Sequence, residues 1–144
     1  MHAVDISLSA LDVEWRRVEI VAQNLANMNT TRTGDGGSFA PLRLLSGPQP
    51  SFSDLVGSSA PNAGMAASGV QVLGVEPTAD GVRRVYEPTH PNADENGFVS
   101  YPNVDHAGEM TLMIRASRAY EANLAAVNMA HDMYARALDI GRQS

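Results

Sequence analysis

The residues that break helices are confined to the middle of this chain. All 8 prolines and 10 of the 12 glycines fall between Thr30 and Pro102. The first 29 residues hold neither type, and the last 40 hold only Gly108 and Gly141. Such a chain is free to form one long helix at each end and is discouraged from forming one in between. Both ends carry the matching apolar spacing. Leu8, Leu11, Trp15, Val18, Ala22 and Leu25 recur at alternating steps of three and four, the narrow stripe that one helix lays against another. Met113, Tyr120, Val127 and Tyr134 recur every seven residues, with Ala116, Leu124, Ala130, Ala137 and Leu138 filling the intervals.

These stripes predict a first helix over 3–28, roughly 39 Å long, and a last helix from just after Asp105 to Ile140, roughly 54 Å long. The first should end at Asn27-Met28-Asn29-Thr30-Thr31, where asparagine tolerates the left-handed conformation. The second should be capped by the Asp105 carboxylate and stopped by Gly141. Gly108, at its third position, leaves the reciprocal capping box incomplete. A last helix of that length is too long for a compact domain unless it projects.

Between the helices, 39–45 reads as an edge strand because of Pro41. Residues 46–69 are a loop, with 17 of 24 being Gly, Ser, Pro or Ala. Residues 70–75 and 82–86 have β-branched, partly alternating patterns, with Ala79-Asp80-Gly81 as a hairpin turn between them. A short strand over 97–101 follows, closed by Pro102. The fold class is α+β. Long N- and C-terminal helices pair as a coiled-coil-like unit around a small β-rich middle, with divisions at 1–29, 30–104 and 105–144.

Composition removes several functions. The net charge of −6 with no basic patch argues against nucleic acid. Without cysteine there are no disulfides or thiolate metal sites. No stretch approaches 18 apolar residues, so no transmembrane segment is expected. Asp5, Asp12 and Glu14 interrupt the N-terminus, so no cleaved signal peptide is expected either. Much of the apolar fraction of 44% is alanine, and only 6% of residues are aromatic. Alanine-rich helices gain little from one neighbour and more from several, which favours oligomerisation.

No motif supports catalysis. Asn92, Asp94, Asn96 and Gly97 sit like the start of a Ca²⁺ loop, but its first ligand is Asn92 and its twelfth position is Asn103, so a polar turn is the better reading. His2, His90, His106 and His131 share no ligand spacing, and His131 lies on the C-terminal seam as a packing residue. There is no nucleophile elbow and no phosphate-binding glycine motif. The chain reads as non-enzymatic, with no cofactor and no metal.

Two segments resemble a known family. Asn24-Leu25-Ala26-Asn27-Met28-Asn29-Thr30 is similar to the N-terminal motif of bacterial flagellar axial proteins. The segment from Val85 to Val99 looks like the signature of the FlgC family of proximal rod proteins within that group. It includes Tyr86, Glu87, Pro88, Pro91, Ala93, Asp94 and Gly97, and continues through Pro102, Asn103, Val104, Asp105, Glu109 and Met110. Ala116-Ser117-Arg118-Ala119-Tyr120-Glu121-Ala122-Asn123 extends the likeness. Together these span about a third of the chain. Thr89 and His90 depart from the usual Gly and Asn, and the leader before Ser9 and the segment 32–69 match poorly.

The resemblance implies a structural subunit of the basal-body rod, a drive shaft needed for motility. It implies export unfolded through the flagellar type III apparatus and assembly in the periplasmic space with copies of itself and other rod subunits. Membrane-ring and adaptor components would lie beneath. Its terminal helices would line an inner coiled-coil-like layer. The alternatives are another axial subunit, or a helical binding module or export adaptor.

Overall fold

The computed structural model describes residues 2–34, 36–50 and 69–143. Its elements are α1 (His2–Ala26), β1 (Leu42–Pro48), β2 (Val70–Pro77), β3 (Val82–Tyr86), β4 (Phe98–Pro102) and α2 (His106–Gln143). The architecture is α+β, with a long helix at each end and two small antiparallel sheets, β1-β2 and β3-β4. By contact density the chain divides into two compact units. One comprises Met1–Trp15, Ser46–Leu73 and Ala116–Ser144, and the other Arg16–Leu45 and Gly74–Arg115.

In the second unit, Ile20, Val21 and Leu44 are buried together with Val99, Pro102 and the polar side chain of Asn24. Sheet β3-β4 pairs Val82 with Pro102 and Tyr86 with Phe98. Its alternation buries Val99 fully while Tyr86 stays outside. The connection over 87–97 is organised by Asp94. Its Oδ1 accepts hydrogen bonds from the backbone N–H of Asn96 (2.9 Å) and Phe98 (2.8 Å), and its Oδ2 pairs with Arg84. These donors hold its carboxyl below the usual range, against the opposing pull of desolvation. The segment with Ca²⁺-like spacing is thus a polar turn whose central carboxylate binds its own backbone. Gly97 occupies the left-handed region at φ 78°, and a Cβ there would come within 2.9 Å of the Tyr86 ring.

In the first unit, Val13 and Ala116 are buried. Ser9 sits in the helix with its hydroxyl donating to the Ile6 carbonyl (2.7 Å) and accepting from the Val70 N–H (3.1 Å). Gly69, at φ 107°, makes that approach possible, because a Cβ there would lie 2.4 Å from Ser9 Oγ. The Gln49 N–H donates to the Gly69 carbonyl at 3.0 Å, continuing the β1-β2 pairing by one bond.

Several local expectations are corrected. The strand expected over 39–45 starts at Leu42, after Pro41, and runs on to Pro48. Gly47 is accommodated in it because the Leu73 side chain fills the space a Cβ would need, 2.9 Å away. The loop expected over 46–69 therefore begins later, and most of it, 51–68, lies outside the described residues. Ala79-Asp80-Gly81 does not close a hairpin, because β2 pairs with β1 and β3 with β4. Its carbonyls are taken by Asn103 instead. The side chain of Asn103 donates to Asp80 O at 3.0 Å and its N–H to Gly81 O at 2.9 Å.

No described residue other than glycine has a positive φ, so α1 does not end on a left-handed asparagine. It ends because Asn27 turns its own groups to the last turn. Its Nδ2 donates to the Gln23 carbonyl (2.9 Å), its Oδ1 accepts from the Thr30 hydroxyl (3.2 Å), and its backbone carbonyl accepts from the Thr30 N–H (3.0 Å). At the other end, α2 passes through Gly141 to Gln143. One glycine costs a helix about 1 kcal/mol relative to alanine, too little to halt one by itself.

Candidate assembly site

Asn24 is the most deeply embedded polar side chain of the axial motif, 1% exposed on the last full turn of α1. Its amide takes both backbone groups of Leu42. Nδ2 donates to the carbonyl at 2.9 Å, and Oδ1 accepts from the N–H at 2.8 Å. An asparagine amide has the donor and acceptor of a peptide group, so it serves here as one more strand residue beside the start of β1. The same Nδ2 reaches Glu109 Oε1 at 3.3 Å, from a position 85 residues further along the chain. Two family segments thus meet in one cluster. The sequence shows both motifs, but nothing in their spacing announces that Asn24 and Glu109 touch.

Asp105 starts α2 with Oδ1 accepting from the Ala107 N–H at 3.1 Å, as capping chemistry predicts. Its backbone carbonyl accepts the first helical bond, from Glu109 at 2.8 Å. Gly108 has a positive role besides leaving the capping box incomplete. A Cβ there would stand 2.6 Å from Asp105 Oδ2, so glycine makes room for the cap.

The remaining signature residues form the β3-β4 surface. Tyr86 and Phe98 meet edge to face at 5.3 Å, and the Arg84 guanidinium lies 4.9 Å from the Phe98 ring centroid. Glu87 accepts a hydrogen bond from the Tyr101 hydroxyl at 3.0 Å, which raises the Tyr101 pKa above its ordinary value. Pro88 lies against Gly97, Pro102 is buried, and Asn103 holds the turn before β3. Asn92, next to Pro91 and Ala93, donates to the Thr31 hydroxyl at 2.9 Å. Val104 is half-buried and Met110 exposed.

The seam residues fall on two kinds of surface. Leu11, Val18, Leu25, Met113, Tyr120 and Val127 are half-buried. Leu8, Trp15, Ala22, Leu124, Tyr134 and Leu138 are exposed. Trp15 reaches Tyr120 with ring centroids 6.1 Å apart and still keeps 53% of its surface open. The buried positions of α1 lie on a second stripe, Val13, Ile20 and Asn24 flanked by Val21. This stripe is hidden in the sequence because Arg17 and Asn24 interrupt its apolar run. On α2, every residue from His131 to Arg142 is exposed, including Met133, Tyr134, Leu138 and Ile140. Ala26, the last residue of α1, and Asn29 are exposed, while Thr30 is half-buried.

Among the described residues no cluster of three or more His, Asp or Glu side chains could hold a metal ion, and no helix is long and apolar enough to cross a membrane.

Residues 5–32 match the family model described as flagella basal body rod protein, and residues 95–140 match the one described as flagellar basal body rod FlgEFG protein C-terminal. The flagellar basal-body rod protein FlgC of Bacillus subtilis is 37% identical, over 98% of this chain and 97% of its own. That of Salmonella typhimurium is 34% identical over 99% and 98%, and that of Borreliella burgdorferi 32% over 96% and 95%. The chain belongs to the FlgC family of flagellar basal-body rod proteins. It is a structural subunit of the rod, located in the flagellar basal body, and assembles there with other rod components.

Proposed function

We propose that this rod subunit assembles through the exposed stripes of its two terminal helices, which close against other subunits and against copies of itself. The observation that carries this reading is the last third of α2. Met133, Leu138 and Ile140 are 72%, 71% and 72% exposed on a helix that extends from a well-capped start. A run of large apolar side chains held open on a regular helix marks an interaction surface. Leu8 and Trp15 on α1 continue the same chemistry. The division into terminal axial helices, 1–29 and 105–144, and a middle region, 30–104, is the division of labour this reading requires. The helices bind neighbours, and the middle is carried outside them.

On the same reading the chain serves no catalytic function. It travels unfolded through the flagellar type III apparatus, folds in the periplasmic space, and rests on the membrane-ring and adaptor components of the basal body. Torque transmission suits such a construction, because many modest contacts along parallel helices resist rotation of one subunit against the next.

The test is to place a carboxylate on each stripe, with Trp15→Asp and Leu138→Asp. Both variants are expected to be synthesised normally, to be missing from purified basal bodies, and to abolish swimming, because an unpaired charge in a packed seam costs several kcal/mol. Normal swimming by either variant removes that helix from the interface.

A further inference from the structure

Glu109 is placed where a carboxylate is poorly served. It lies in the first turn of α2, four residues after Asp105, and lines a cleft of about 450 Å³. Its Oε1 accepts from Asn24 Nδ2 at 3.3 Å, a long bond beside the one the same amide nitrogen gives the Leu42 carbonyl at 2.9 Å. Its Oε2 is buried and has no hydrogen-bond partner among the described residues. The charged groups around it come from every element at this junction. Arg17 projects from α1 and Arg43 from β1, and Asp105 stands at the start of α2 itself. Polar Thr78 and Asn103 complete the cleft wall.

These groups pull in opposite directions. Burial favours the neutral acid most strongly, and the Asp105 charge adds to it. The Asn24 hydrogen bond and Arg43 favour the carboxylate, as does the positive end of the α2 dipole. Burial prevails, and the Glu109 pKa stands above its ordinary value. An ionised oxygen with no donor is among the costliest groups a protein can bury, whereas a neutral carboxyl is tolerated.

We propose that Glu109 is a proton-operated clasp. Protonated, it lets the junction of the end of α1, the start of β1 and the first turn of α2 close over its buried Oε2; ionised, it keeps the Asn24 bond but strains that junction with a buried charged oxygen that no described donor meets. A carboxyl whose pKa is higher folded than unfolded binds its proton more tightly in the folded state. Its contribution is fully present below the unfolded pKa and is lost as pH rises through the folded value. The junction is therefore tightest in acid and slackest at neutral pH and above. This inference concerns the folded subunit alone and stands whether or not the helical stripes form the rod interface.

The experiment compares thermal unfolding of the full chain and its Glu109→Gln variant from pH 4 to pH 8. Glutamine keeps the acceptor for Asn24 and removes the charge. The variant should melt about 2–6 °C higher than the parent at pH 7.5, and the gap should close as pH falls toward 4.5. Carboxyl ¹³C titration of the parent should place Glu109 above the other glutamates. A variant that melts lower than the parent at neutral pH, or fails to fold, would show that the ionised form is the one the junction needs, with Arg17 or Arg43 as its partner. That result overturns the clasp, as does a Glu109 that titrates with or below the surface glutamates.

Discussion

The two ends of α2 are built on opposite principles. Its first turns are tied into the chain: Asp105 caps them, Gly108 makes room for the cap, and Glu109 meets an asparagine from the other end of the sequence. Its last turns, from His131 to Arg142, show every side chain to solvent, with Met133, Leu138 and Ile140 among them. The first region is specified by polar groups with named partners, and the second by a spacing that leaves large apolar side chains open. On the proposed assembly, one region folds the subunit and the other is held by its neighbours.

The contrast is broken most forcefully at Asn24. Replacing it with alanine strips the Leu42 N–H and carbonyl of their partners and leaves both oxygens of Glu109 without one. Each orphaned buried group costs on the order of 1–3 kcal/mol, so Asn24→Ala should lower the stability of the isolated chain by about 2–4 kcal/mol. Urea unfolding measures it. An unchanged midpoint would mean that the junction is no better defined than the exposed end of α2, and the comparison would fail.

Gly97 gives a smaller effect within the well-specified region. Any side chain there must accept a φ of 78° and meet Tyr86 and Pro88 at 2.9 and 3.1 Å. Gly97→Ala should cost about 1–3 kcal/mol, with the loss of the Tyr86–Phe98 ring contact visible in near-ultraviolet circular dichroism. A neutral outcome would show that the β3-β4 connection rearranges freely, which its satisfied Asp94 argues against.

How legible each region is in sequence follows from the same contrast. Periodicity and the exclusion of Gly and Pro show both helices plainly, since those signals are local and repeated. The exposed stripe is legible for that reason too, because Leu8, Trp15 and Leu138 are apolar at regular steps whether or not anything covers them. The inner stripe of α1 is not, because two of its positions, Arg17 and Asn24, are polar, and the latter is buried for its hydrogen bonds. The pairing of strands was legible only in part. Alternation showed β2 and β3, but the choice of β1 and β4 as their partners depends on Ser9, Asn24 and Asn103 reaching across the sequence. Long-range polar contacts have no period, so no window along the chain contains them.

The smallest effect probes the exposed region. Gly141 is the one glycine in the last three turns of α2, and a Cβ there meets nothing within 4 Å. Alanine is favoured over glycine by about 1 kcal/mol in a helix interior, and near a fraying end only a few tenths remain. Gly141→Ala should therefore raise the helical signal of the isolated chain slightly while leaving its unfolding midpoint unchanged, because the side chains from His131 to Arg142 are exposed. The two readouts separate the possibilities. A rise in helicity alone means that the end of α2 is governed by local propensity until neighbours cover it. A rise in the midpoint as well would mean that these turns already belong to the cooperative core, and that Met133, Leu138 and Ile140 are ordered by the chain itself before any subunit arrives.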